Sequence, residues 1–253
     1  RTCIGRAEAS TGEARYKLDQ WLKAIGDAGY ARVAVQSLHV IPGEEYLSLM
    51  NTDIKNNFMI DWYPHIDVLK GANLLSTDDD TEEVARVLYT HYKDKLADKK
   101  NIVLLMGHGN PDVNYNANIK YSETQTALQA LAANKNIFVG TVDYGEMLFW
   151  PKEEEEKAAD RIPVASPDQM ISSYPGCIYS QVMKYCKDNN LQPADVTVYL
   201  APFMSIAGDH AHNDLWGIEA IAENKGSDEV ELNTNEYSWR ERLEKAGFKV
   251  GTA

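Results

Sequence analysis

Two hydrophobic rhythms alternate along this chain. From Glu13 to Gly29 the apolar positions Tyr16, Leu18, Trp21, Leu22 and Ile25 recur at helical spacing, and Asp27-Ala28-Gly29 supplies a stop. Val33-Ala34-Val35 then opens a strand, which Gln36-Ser37-Leu38-His39-Val40-Ile41 carries to the turn at Pro42-Gly43. Glu44-Glu45-Tyr46 opens a helix, with acidic residues in the first turn, where the helix dipole favours them. Val68 to Leu75 is a weaker strand, and Thr81-Glu82-Glu83 starts a helix running to about Leu96.

The same rhythm restarts after the polar segment Asp98-Lys99-Lys100. The pattern predicts strand Ile102 to Met106, helix Ser122 to Ala133, strand Ile137 to Val142, helix Gly176 to Asn189 and strand Val196 to Phe203. A late helix from about Glu236 to Ala246 and a strand beginning at Phe248-Lys249-Val250 close the chain. The strands are continuous apolar runs rather than alternating ones, the mark of a parallel sheet buried on both faces. Strands alternating with helices give an α/β architecture. The polar segment suggests two α/β domains, 1–98 and 99–253, the second with an insertion near 144–173. That insertion carries Pro151, Pro163, Pro167 and the charge run Lys152-Glu153-Glu154-Glu155-Glu156-Lys157. Ala220 to Asn235 is a second polar excursion.

The 253 residues carry a formal net charge of −13. So acidic a surface argues against nucleic-acid binding, which needs a basic footprint, and attracts divalent cations. No apolar stretch approaches the roughly 18 residues of a membrane span, and no secretory leader is visible at Arg1 to Arg6. Cytoplasmic placement is therefore expected, with the cell envelope or periplasm as the alternative. Cys3, Cys177 and Cys186 form neither a disulfide framework nor a zinc pattern.

Chemistry concentrates where strands end. His108 lies in Met106-Gly107-His108-Gly109-Asn110, directly after one apolar run, and His210 lies in Gly208-Asp209-His210 after another. In open α/β sheets ligands bind at the carboxyl ends of strands, and imidazole is the commonest metal ligand. Asp209 or Asp214 could accept the second N–H of His210, as carboxylates do behind metal-bound histidines. Glu45 follows the Pro42-Gly43 turn and could accept protons or steer a cation; Asp143 ends the strand Ile137 to Val142 and adds a fourth polar group at the sheet's carboxyl edge. His39 reads as a packed or interfacial strand residue, while His65, His91 and His212 read as structural or surface residues. The chain shows no phosphate loop, dinucleotide fingerprint, nucleophile elbow or His-Glu-x-x-His motif.

Gln36-Ser37-Leu38-His39 with Gly43-Glu44-Glu45-Tyr46, Met106-Gly107-His108-Gly109, and Gly208-Asp209-His210 with Asn213-Asp214 together resemble the anaerobic cobaltochelatases, the sirohydrochlorin cobalt chelatases of the class II chelatases. Trp239 to Gly247 is similar to the family's late helix, so the likeness spans most of the chain. The resemblance implies two chelatase-like parallel-sheet domains facing a central cleft. It implies ATP-independent insertion of Co²⁺, as substrate metal, into the tetrapyrrole sirohydrochlorin during anaerobic cobalamin synthesis, a lyase reaction with no nucleotide. By the same resemblance His108 and His210 are active-site histidines and metal ligands, and Glu45 is the third catalytic group.

The chain also departs from the family pattern. The family's strand-end glutamate corresponds to Asp143, still a potential metal ligand. The Tyr-Pro that normally follows closely arrives as Tyr174-Pro175, after the excursion. Phe149 and Trp150 in that excursion are candidate apolar contacts for a tetrapyrrole. These departures leave an alternative: an exported chelatase relative that binds haem or another tetrapyrrole without turnover. Family members carry further βα structure before the equivalent of Arg1 and continue past Ala253, so the first domain is expected to be truncated at its start. A homo-oligomer is compatible with this reading.

Overall fold

The computed structural model describes residues 12, 18–111, 117–142, 144, 148, 178–206, 208, 210–217 and 238–253. They form two compact units, one ending at Leu74 and the other starting at Leu75. The division thus falls ahead of Asp98-Lys99-Lys100.

In the first unit, helix α1 (Leu18–Asp27) precedes strand β1 (Arg32–Gln36). Helix α2 (Glu44–Leu47) widens directly into a π-type helix over Ser48–Trp62. Strand β2 (Asp67–Gly71) then pairs parallel to β1, Val33 opposite Val68. The core is Leu22, Val33, Ile54, Phe58, Ile66 and Val68. The strand read as reaching Ile41 stops at Gln36, because the Gln36 side chain turns the backbone off the ladder. Its Nε2 donates to the carbonyls of Ser37 and Ala72, each at 2.8 Å.

The second unit opens with α3 (Asp78–Leu96). It continues through β3 (Asn101–Gly107), α4 (Ile119–Leu131), β4 (Ile137–Thr141), α5 (Ile178–Asp188), β5 (Thr197–Pro202), α6 (Trp239–Lys245) and β6 (Lys249–Thr252). Four strands form one parallel sheet in the order β4-β3-β5-β6. Ile102, Leu104 and Met106 of β3 pack with Ile178 and Val182 of α5 and Trp239 and Leu243 of α6. Val103 and Leu105 are equally buried; strand alternation turns them to the other face, where α3 and α4 pack on β3 and β4. The continuous apolar run of β3 is the consequence of that double cover. The described chain is therefore α/β with two parallel sheets, as its rhythm predicts. Among the described residues no helix is long and apolar enough to cross a membrane.

Among the described residues, α3 and α6 start on capping boxes. Thr77 Oγ1 accepts from the Asp80 N–H and Asp80 Oδ2 accepts from the Thr77 N–H; Ser238 and Glu241 repeat the arrangement. The hydrogen bonds from Thr77 hold the Asp80 carboxyl below its ordinary value, and those from Ser238 do the same for Glu241. A depressed folded-state pKa gives stability that is present above the ordinary value and lost as pH falls through the folded one. Denaturant unfolding monitored by circular dichroism should thus show stability dropping as pH is lowered below the ordinary carboxylate range. Thr77→Ala and Ser238→Ala together should flatten that dependence.

Candidate functional site

Strand order brings the two glycine-framed histidines together. Successive connections run from β3 to one side, β4, and then to the other, β5, so the order reverses between β3 and β5. That is the position at which open α/β sheets bind ligands. His108 leaves the end of β3 and His210 follows β5, whose residues pair directly with β3 through Met106 opposite Pro202. The two rings meet edge to face, with centroids 4.8 Å apart and planes at 76°.

In each ring Nδ1 lies beside an oxygen acceptor. His108 Nδ1 lies 2.9 Å from the Gly109 carbonyl oxygen, and His210 Nδ1 lies 2.6 Å from Asp214 Oδ2. A carbonyl and a carboxylate only accept, so Nδ1 must be the protonated nitrogen in both rings. In the neutral imidazole the lone pair then sits on Nε2, the nitrogen a metal takes. Of the two carboxylates considered from sequence, Asp214 is the one seen to orient His210. The pair lies at successive turns of a π-type segment, His210–Leu215. His212, on the same segment, is exposed.

The Gly-His-Gly turn is built from beneath by Tyr121, which the sequence reading did not single out. Tyr121 is 4% exposed, and its hydroxyl faces the backbone N–H groups of His108 and Gly109. Burial pushes this phenol up to about 12, against the opposing pull of those two N–H groups. Its ring lies where a side chain at Gly107 would go. Gly109 has φ +97°, a conformation open to glycine and strained for other residues. Asn118 closes the following loop: its Oδ1 accepts from the Asn110 N–H at 2.8 Å and its Nδ2 donates to the Asn110 carbonyl at 2.9 Å. Neither Tyr121 nor Asn118 carries a local sequence signal beyond lying shortly after Gly-His-Gly.

Glu45 stands in the first unit, on the opening turn of α2, about half exposed, with Oε2 3.6 Å from His39 Nε2. His39, read from sequence as a packed or interfacial strand residue, instead lies in the loop beyond β1, about one-third exposed. Asp143, Phe149 and Trp150 lie outside the described residues, as does Asp209. Among the described residues no group of three or more His, Cys, Asp and Glu side chains is placed to hold a metal ion.

A profile of the family "Cobalt chelatase (CbiK)" matches residues 15–147 and 168–253. The chain belongs to the CbiK family. Among curated proteins it is 28% identical over 241 residues to the sirohydrochlorin cobaltochelatase CbiKC of Nitratidesulfovibrio vulgaris strain Hildenborough. The match covers 93% of this chain and spans 64% of that relative's length. Both histidines, Glu45 and Tyr121 fall inside the segments this CbiK-family chain shares with the profile.

An outer partner that fixes a ligand's tautomer is generally worth roughly 10–100-fold in metal affinity. If His210 takes a divalent cation through Nε2, Asp214→Ala should weaken Co²⁺ binding by about that factor, measured by titration calorimetry. Unchanged affinity would mean that the 2.6 Å contact does not prepare His210 for a metal.

Proposed function

We propose that this CbiK-family chain inserts Co²⁺ into sirohydrochlorin, the anaerobic route to cobalamin. The observation that carries the reading is the contact of His108 with His210, each with Nδ1 bonded to an oxygen acceptor. The family membership and the name of the N. vulgaris relative support the choice of metal and macrocycle.

Metal insertion requires a group to hold the hydrated cation, a shell it can leave, and an acceptor for two pyrrole protons. His108 and His210 hold the incoming Co²⁺ through Nε2, a nitrogen donor suited to borderline divalent cations. Two imidazoles leave coordination positions open for water and then for pyrrole nitrogen, as reactive metal sites do. Glu45, as an ionised carboxylate, accepts pyrrole protons. Asp143 is proposed as a further ligand, and Phe149 and Trp150 as apolar contacts for the macrocycle. Cation exchange and proton removal need no nucleotide.

Purified protein, Co²⁺ and sirohydrochlorin, mixed anaerobically without ATP, should yield cobalt-sirohydrochlorin faster than the protein-free mixture, followed by absorbance. If the protein-free rate is unchanged by the protein, the reading is wrong. Tight binding of the tetrapyrrole without metal insertion would move it to the non-catalytic alternative.

A further inference from the structure

We propose that His39 is a positioning residue that orients the Glu45 carboxylate from the side, with its own tautomer set by Ser37. The proposal rests on the proton-acceptor role given to Glu45 above.

Ser37 is 4% exposed. Its Oγ accepts the His39 backbone N–H at 3.1 Å and stands 2.9 Å from His39 Nδ1. A hydroxyl that accepts one bond still has its own hydrogen to give. Given to Nδ1, it places the proton of the neutral ring on Nε2, the atom 3.6 Å from Glu45 Oε2. The backbone around the ring is tied down. The Leu74 N–H donates to the His39 carbonyl at 2.9 Å, and the buried Asn73 side chain donates to the Val40 carbonyl at 3.2 Å. The Tyr46 ring meets the imidazole edge to face at 6.3 Å.

A separation of 3.6 Å is ion-pair range and longer than a formed hydrogen bond. A modest rotation of the half-exposed Glu45 side chain closes it. An exposed ion pair formed by chance needs no buried hydroxyl behind it to choose which nitrogen carries the proton. This one has such a hydroxyl, so the N–H is aimed before any substrate arrives. With one carboxylate oxygen held by that N–H, the other is presented in a fixed direction to take a proton, at a smaller ordering cost.

Two measurements test this. In ¹⁵N-histidine-labelled protein, long-range ¹H–¹⁵N spectra should show His39 with the proton on Nε2. The Nε2 resonance should move in Glu45→Gln, and the tautomer should become mixed in Ser37→Ala. A proton on Nδ1 in the wild type, or a resonance indifferent to Glu45→Gln, overturns the proposal whatever the protein's activity. In the insertion assay, His39→Leu should lower kcat by about tenfold, the usual scale for a hydrogen bond to a charged group, with KM for the tetrapyrrole little changed. His39→Gln should restore most of kcat, because its amide N–H reaches the same place. Equal loss in both variants, or a loss confined to KM, overturns the positioning role. Wild type that shows the Nε2 tautomer and the Glu45 coupling yet inserts no metal supports the pairing and refutes the chelatase reading.

Discussion

Alanine at either His108 or His210 is expected to reduce cobalt insertion by more than about a hundredfold, since even an outer partner of a ligand is worth roughly 10–100-fold. The rings share one contact at 4.8 Å, so in the proposed mechanism removing either leaves the cation half its imidazole support. His108 lies in the loop beyond β3 and His210 opens the π-type segment beyond β5, both incompletely buried, so neither change opens a hole in the core. Thermal unfolding should therefore stay close to wild type while activity collapses. The double variant should be little worse than either single one, because groups acting as a unit fail together. His212→Ala serves as the control: that ring is exposed and should leave turnover unchanged. Full activity in both His108→Ala and His210→Ala would remove the histidine pair from the mechanism.

The second large effect is expected at Gly107, through stability as well as activity. A Cβ placed there would stand 2.4 Å from a Tyr121 ring carbon and 2.8 Å from its hydroxyl oxygen. The ring has little room to retreat: it is buried, it meets Phe203 edge to face at 6.0 Å, and its oxygen faces the backbone N–H groups of His108 and Gly109. Overpacking of this kind costs about 1–3 kcal/mol. For a domain of this size that is roughly 2–12 °C in melting temperature, so Gly107→Ala should be visibly destabilised by calorimetry. It should also lower insertion, because displacing the phenol releases the turn that presents His108. Combining Gly107→Ala with Tyr121→Leu should recover part of the lost melting temperature but not the activity. If Gly107→Ala melts with wild type, Tyr121 is not the rigid support described.

What the sequence made legible follows a physical division. The strands of the second sheet could be read because double cover demands unbroken apolar residues, and Ile102 to Met106 supplies them. The two histidines could be picked out because glycines and strand ends frame them. Their contact could be suspected but not read: it depends on β5 lying beside β3 rather than beside β4, a fact of strand order. His39 was misread for a different reason. Ser37 to Ile41 has the composition of a strand, and the Gln36 side chain that ends the ladder acts through partners, one of them Ala72, far along the chain. Tyr121 was invisible because its importance lies in what is stacked above it. The wide helix after Leu47 escapes a search at 3.6 residues per turn, although its buried residues Met50, Ile54 and Phe58 recur every four.

The strand order has one more consequence. The ladder that brings the imidazoles together runs between β3 and β5, and β4 lies at the sheet's margin. The length of the connection from β4 to α5 therefore does not decide which of the described strands are neighbours. Lengthening such a connection twofold costs only about 0.6 kcal/mol in closure entropy. Residues can therefore be added to that connection at little cost while the β3–β5 ladder that ends beside His108 stays in register.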